Sequence, residues 1–422
     1  MQVVVDALNW IAGRGPAVMM PMIILIIGLC FRIKFSTLIK SALLTGVGFY
    51  GVNMVINAFV SVVAPIAQQM VNNWGLSTNI VDVGWPARAA ATWSFSLAPI
   101  VVFVILGLNI LLLAIKKTRC VMVDFWSYNH FIFTAALVYA VTNNAVYAVI
   151  GAAIDATITF KLADWTQPLC AEYFGLDGVS FPTSNSVCWA PVAWALNKFW
   201  DLFPFIKNSK ADPESINRKF GILGDPLIIG VILGAVIAML GGSDAGTILT
   251  AAITTGATMT ITPKMMQILM DGLMPFADAV KEILNKKYHG ANFHIGIDAA
   301  LTIANDSAIS VGVLMVPITL VLAIVLPYNH LLPITDIAYQ AMWLAAWPVA
   351  FGKGNVVKGL LSTIIITCIM LFIATNLATI HTQMAISGGF TLPEGVALIS
   401  TEDAGTHLTG FLIYLLSMIL PH

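Results

Sequence analysis

Between Lys40 and Asp82 the chain carries no Asp, Glu, Lys or Arg. A water-soluble domain draws roughly a quarter of its residues from those four types and does not tolerate so long a gap. Further charge-free stretches run from Ala17 to Phe31, Ala89 to Ile115, Phe125 to Ile154, Pro226 to Ser243, Ala245 to Pro263, Ser307 to Ile334, Ile337 to Gly352 and Gly359 to Met384. About 20 apolar residues in a helix cross a bilayer, and a helix satisfies its own backbone donors and acceptors there. Composition agrees, with 59% hydrophobic and only 10% charged residues in 422. The expectation is an all-α polytopic membrane protein with about ten spans. Phe125 to Leu162 reads as two helices turning at Thr142, Asn143 and Asn144, and Ile337 to Ile380 as two turning at Lys353 to Lys358.

Several function classes drop out. A formal charge of −1 leaves no basic excess for nucleic acid. The five cysteines form no CxxC pair, so neither a disulfide framework nor a zinc site is indicated, and they read as core thiols. There is no GxxxxGK[ST] motif, and no cofactor or metal is expected. The opening residues lack a basic region followed by a short apolar stretch and cleavage site, so no removable signal is expected. No segment between spans is long enough for a soluble catalytic domain; any phosphoryl chemistry must come from a partner chain.

The two halves resemble each other. Pro16, Ala42, Thr45, Gly46 and Pro65 recur as Pro226, Ala252, Thr255, Gly256 and Pro275, and Asp124 recurs as Asp336. If the halves are inverted copies of about five spans each, every loop on the cytoplasmic side of one half has an external counterpart in the other, and Lys and Arg belong to the cytoplasmic member. Four loop pairs follow this rule. Arg32, Lys34 and Lys40 oppose Ser243 to Thr247; Lys281, Lys286 and Lys287 oppose Asn72 to Ile80; Lys116, Lys117 and Arg119 oppose Tyr328 to Asp336; Lys353 and Lys358 oppose Thr142 to Asn144. A central linker with Lys198, Lys207, Lys210, Arg218 and Lys219 is cytoplasmic too, and only Arg14, Arg88 and Lys264 resist the assignment.

Four segments are too polar to face lipid and too apolar for ordinary loops: Val81 to Trp93, Asp164 to Asn185, Ile295 to Asp306 and His381 to Asp403. They are candidate re-entrant segments, because irregular backbone at membrane depth persists only against protein or a water-filled cavity. Their polar residues have two readings each. Asp298, Asn305 and Asp306 precede an uncharged run and are either a buried functional group or a helix cap at the membrane edge. His130, His381 and Gln383 offer the mixed donors and acceptors a polyol needs, or anchor helices at the interface. Thr183, Ser184 and Asn185 in SFPTSNS, and Glu402 and Asp403 in STED, are either tips that meet substrate or polar turns. Trp85 is either a stacking face for a sugar or part of an interfacial belt. Arg88 pairs with Asp82 or snorkels to water.

Several motifs together resemble the membrane (IIC) component of the bacterial galactitol phosphotransferase system, in the ascorbate–galactitol superfamily. They are VDVGWP at Val81 to Pro86, DFW at Asp124 to Trp126, KLADW at Lys161 to Trp165, RKFGILGDP at Arg218 to Pro226, MDGLMPFA at Met270 to Ala277, GIDAAL at Gly296 to Leu301 and IHTQMA at Ile380 to Ala385. The resemblance covers nearly the whole chain in order, although Thr183 and Asn305 stand where galactitol members are expected to carry histidines. It implies a homodimeric, multi-pass protein of the bacterial inner membrane that moves an alditol. A separate IIB protein phosphorylated on cysteine, charged by IIA, transfers phosphate to that alditol. It further implies scaffold helices at 16–71 and 226–284 and a moving core at 81–200 and 294–422. The repeats then span 1–200 and 221–422, with the cytoplasmic linker at 201–220. Asp298 and His381 are the candidates for orienting or deprotonating the accepting hydroxyl. The rival reading is a proton- or sodium-coupled secondary transporter of a polar small molecule, with Asp298 and Asp306 as coupling groups.

Overall fold

The computed structural model describes residues 16–30, 32–74, 80–84, 88, 91–92, 95–124, 127–207, 209, 226–287, 292–333, 337–387, 392 and 397–420. In chain order the first half gives α1 (Pro16–Cys30), α2 (Phe35–Trp74), β1 (Ile80–Asp82), α3 (Ala98–Ala114), β2 (Cys120–Met122), α4 (Tyr128–Thr142), α5 (Ala145–Phe174), β3 (Val179–Ser180), α6 (Ser184–Val187) and α7 (Ala190–Trp200). A short α8 (Pro204–Lys207) follows. The second half gives α9 (Pro226–Leu240), α10 (Ala245–Lys287), β4 (His294–Gly296), a 3₁₀ turn (Ala299–Ala304), α11 (Asp306–Val325), α12 (Ile337–Phe351), α13 (Val356–Ser387), β5 (Leu398–Ser400), α14 (Glu402–Gly405) and α15 (Leu408–Ser417). Corresponding helices have similar lengths: 40 and 43 residues for α2 and α10, 15 and 15 for α4 and α12, 30 and 32 for α5 and α13.

The turns form where the sequence supplies a residue that tolerates the backbone. Asn143 adopts a left-handed conformation to end α4, and Asn144 caps α5 by accepting from Val146 N at 2.9 Å and Tyr147 N at 3.3 Å. Gly175, at φ +70°, ends α5. Helical turns therefore run to Phe174, and α13 likewise continues to Ser387. The stretches expected to be irregular from Asp164 and from His381 are thus helical for about their first three and first two turns. Thr166, His381 and Thr382 there are buried without breaking the helix, while Glu172 and Gln383 are exposed.

Among the described residues, α5, α11 and α13 are long and apolar enough to cross a membrane. The faces of α5 are inside-out relative to a soluble helix. Val146, Ile150, Ile154 and Ile158 form an exposed stripe at four-residue spacing, while Ala148, Ala152, Asp155, Ala156 and Thr159 are buried. Such a helix is stable only where the outer solvent is hydrocarbon.

The long helices α2 and α10 pack along one another, and α9 lies against α10. Small residues permit a close crossing: a β-carbon on Gly230 would come within 2.8 Å of Gly256 Cα, and one on Gly234 within 2.3 Å of Ala251 O. Without a hydrophobic drive between helices in lipid, such close van der Waals contact is what holds them together.

Two small parallel sheets join the halves. β1 pairs with β5, Asp82 opposite Ser400, and Ile80 also bridges Leu331. β4 lies between β2 and β3, pairing Cys120 with His294 and Ser180 with Gly296. Each sheet therefore takes its central strand from one half and both neighbours from the other.

Candidate functional site

The strand ends and helices deliver polar side chains to the buried interior. From α4 come Asn129, His130 and Thr134, which share one face by their spacing. α5 brings Asp155, α13 brings His381, and the stretch after β3 brings Thr183, Ser184 and Asn185. Asp298 follows β4, and Glu402, Asp403 and His407 follow β5. All of these are at most 8% exposed.

Arg88, 2% exposed, forms an ion pair with Asp403 and donates to Asn129 Oδ1 at 2.6 Å. Its guanidinium also stands 5.2 Å from the centre of the Phe133 ring. It is buried, in contrast to the snorkelling reading. Asn185 Nδ2 donates to the other Asp403 oxygen at 2.6 Å. A charge at this depth requires such partners, because desolvation costs on the order of several kcal/mol for each ion.

Beside this pair lies a second carboxylate. Asp155 accepts from Thr134 Oγ1 at 2.6 Å and Ser184 Oγ at 2.8 Å, and lies 3.0 Å from His407 Nε2. The His407 ring stacks on Phe133 at 5.8 Å and meets His130 edge-on at 5.7 Å. A third group joins Asp124 to Ser127, Ser127 Oγ to Thr183 Oγ1 at 3.2 Å, and Thr183 Oγ1 to Ala299 N at 2.8 Å. Asp298 accepts from Ala300 N at 2.9 Å, capping the 3₁₀ turn, and lies within electrostatic reach of Asp124 and Asp403. His381 is fully buried, and among the described residues neither ring nitrogen has a hydrogen-bond partner. A buried donor–acceptor ring without partners is costly unless something else supplies them.

Of the residues singled out in the sequence, His130, Thr183, Ser184, Asn185, Asp298, His381, Glu402 and Asp403 are thus buried at the junction of the two sheets. Others lie elsewhere. Asn305 caps α11 through Ser307 N at 3.1 Å and Ala308 N at 3.2 Å, and receives the Tyr173 hydroxyl at 3.0 Å. Asp306 and Gln383 are exposed. Trp85 lies outside the described residues. Sequence reasoning missed Asp155 and His407. Asp155 is the only acid between Phe125 and Phe160; reading it as the border of a charge-free run, rather than as a carboxylate within a span, hid the signal.

A separate polar group stands next to the loop bearing Lys116, Lys117 and Arg119. His294 Nδ1 meets Ser180 Oγ at 2.7 Å and Nε2 meets Asp164 Oδ1 at 2.9 Å. Asp164 also accepts from Thr118 Oγ1 at 3.1 Å and Arg119 N at 3.0 Å, and Cys120 Sγ lies 3.4 Å from Ser180 Oγ. Among the described residues no cluster of His, Cys, Asp and Glu could hold a metal ion. A groove of about 480 Å³ between α2 and the start of α10, lined by Ser61, Gln69, Asp244, Thr247 and Thr250, shares no residue with either cluster.

The buried cluster brings carboxylates, imidazoles, hydroxyls and amides together in the interior. Residues 10–395 match the model of the EIIC-GAT family, described as the sugar-specific permease component of the phosphotransferase system. The chain belongs to this family. It is 32% identical over 412 residues to the galactitol-specific EIIC components of Escherichia coli K12 and O157:H7, covering 98% of this chain and 91% of each relative. A permease IIC component of E. coli K12 is also 32% identical, over 397 residues, covering 94% of this chain and 91% of that one. As a sugar-specific permease component the protein is a membrane protein of a phosphotransferase system. Its carbohydrate is phosphorylated with the help of partner proteins.

Proposed function

We propose that this permease component carries galactitol or a closely related polyol across the bacterial inner membrane, and that the buried cluster around Arg88, Asp155, Asp298, His381 and Asp403 is its binding site. The cluster carries the proposal. It offers carboxylates and imidazoles to hydroxyl groups on many sides, with a fixed cation already neutralised by Asp403. Such a site favours an uncharged solute with many hydroxyls over an anion. Relatives named for galactitol support the substrate class.

Two inverted repeats, 1–200 and 221–422, are the architecture of this proposal. Contacts that recur at an offset of 211 support it. Arg119 N donates to Asp164 Oδ1 at 3.0 Å, and its counterpart His330 N donates to Thr375 Oγ1 at 3.2 Å. Thr118 binds Asp164 as Asn329 binds Thr375. Cys120 pairs with β4 as Leu331 pairs with β1. Scaffold helices at 16–71 and 226–284 carry the protein in the bilayer as a homodimer, and the core at 81–200 and 294–422 moves against them. Exposed Leu43, Val47, Leu249 and Ile253 give the scaffold an apolar outer face suited to lipid or a second copy.

In the transport cycle, polyol enters from outside and the core moves to present a hydroxyl to a phosphocysteine on IIB, which IIA recharges. The hydroxyl oxygen bonds to phosphorus as the S–P bond breaks. The thiolate leaves on IIB, and the hydroxyl proton passes to a carboxylate or imidazole of the cluster, His381 and Asp298 being the nearest candidates by type. The phosphorylated product is retained because an anion does not recross hydrocarbon.

Everted vesicles test this reading. Galactitol phosphate should form only when IIB, IIA and the phosphoenolpyruvate-dependent components are supplied, and an ionophore should leave the rate unchanged. Uptake without phosphorylation that an ionophore abolishes would instead establish the ion-coupled alternative.

A further inference from the structure

Asp155 and His407, one on α5 and the other between α14 and α15, are both buried and meet although nothing local in the chain links them. Their hydrogen bonds define the protonation of the ring. Thr134 and Ser184 each donate a hydroxyl proton to Asp155, at 2.6 and 2.8 Å. Having donated there, both hydroxyls turn oxygen lone pairs toward His407 Nε2, at 3.2 and 3.3 Å, and the Asp155 carboxylate stands 3.0 Å from the same nitrogen. With Asp155 as a carboxylate, the three oxygens around this nitrogen are all acceptors and place the proton on Nε2. In the neutral ring Nδ1 is then a bare acceptor. Nδ1 is buried and has no hydrogen-bond partner among the described residues. Phe133 stacks on one face of the ring, and Gly410 lies close to its Cδ2 edge, where an added β-carbon would come within 2.8 Å.

We propose that Asp155 is a positioning residue that fixes the tautomer of His407, and that His407 Nδ1 accepts a hydrogen bond from a hydroxyl of the bound polyol. The inference rests on the reading of this cluster as the polyol site. His407 is then a specificity-determining contact: a hydroxyl fills the orphaned acceptor, whereas a deoxy analogue leaves it empty and loses affinity.

Two substitutions of the same ring separate this role from a structural one. In His407→Asn the amide oxygen takes the place of Nδ1, keeping the acceptor and severing the link to Asp155. In His407→Gln the terminal amide takes the place of Nε2, keeping the link and deleting the acceptor. The assay is galactitol phosphorylation by vesicles supplied with IIB, IIA and phosphoenolpyruvate-dependent components, with KM and kcat measured separately. Folding is checked by size-exclusion chromatography in detergent. Wild-type vesicles that fail to phosphorylate galactitol would overturn the substrate assignment itself, independently of any His407 variant.

With an active wild type, Asp155→Asn should raise KM by about tenfold to a hundredfold, by analogy with the loss of a carboxylate that orients a metal-binding imidazole. Its kcat should change far less. His407→Asn should keep a KM closer to wild type than His407→Gln, and adding Asp155→Asn to His407→Asn should cost little more, because an amide oxygen needs no tautomer fixed. A KM for His407→Gln equal to or below that of His407→Asn would overturn the proposal. So would an Asp155→Asn variant, folded as wild type, with an unchanged KM.

Discussion

At the residue scale, the interior is organised by charges that cannot be left alone. Asp403 binds both Arg88 and Asn185, so Asp403→Asn should destabilise the fold by about 3–5 kcal/mol, the usual cost of removing one member of a buried ion pair. Thermal melting in detergent checks this, and the double replacement Arg88→Met with Asp403→Leu should recover much of the lost melting temperature. Packing is equally tight at Gly410, where an added methyl would meet Thr134 Oγ1 at 2.8 Å and His407 Nε2 at 3.0 Å. Gly410→Ala should therefore lower both melting temperature and galactitol phosphorylation. Residue types were legible in the sequence where polarity interrupted an apolar stretch, as at His130, Asp298 and Asp403. They were not legible where the pairing is purely tertiary: Asp155 and His407 are 252 positions apart, and nothing local to either announces the other.

Among elements, the turns were the most readable, because Asn143, Asn144 and the Lys353 to Lys358 segment interrupt apolar periodicity with residues suited to caps. The polar ends of α5 and α13 were less so. A helix whose polar residues face a protein interior at membrane depth has the composition of a loop, and only packing distinguishes the two. The latch formed by His294, Asp164 and Ser180 ties β4 to α5 and β3, while the equivalent positions Ile80 and Thr375 at the other sheet carry no ionisable group. His294→Ala should loosen that end, and Cys120, fully buried beside Ser180, should react faster with a thiol reagent than in wild type. An unchanged rate would mean that the sheet holds without the imidazole. Farther along, Lys358 Nζ donates to Asp201 Oδ1 at 2.5 Å, and this hydrogen bond holds the Asp201 carboxyl below the usual carboxylate range. A lowered folded value means the contact stabilises above the ordinary carboxylate pKa and is lost as pH falls through the folded one. The melting temperature of Asp201→Asn should therefore differ from wild type near neutrality and converge with it in acid. The difference should be small, because the pair is partly exposed.

For the whole molecule, the sequence carried the class of fold through its charge-free runs, and the family through motifs spread along most of its length. It did not carry the interleaving of the halves, in which each small sheet takes its middle strand from one and its flanks from the other. Strands of two or three residues have no periodicity to read. That interleaving brings the shared cluster together, and in the proposed architecture the two halves have opposite orientations in the membrane. Labelling single cysteines placed at Arg119 and His330, in intact cells and in everted vesicles, tests this most directly, because these two residues make the same backbone contact in their respective halves. The account predicts that position 119 is labelled only from the cytoplasm and position 330 only from outside; labelling of both from one side would contradict it.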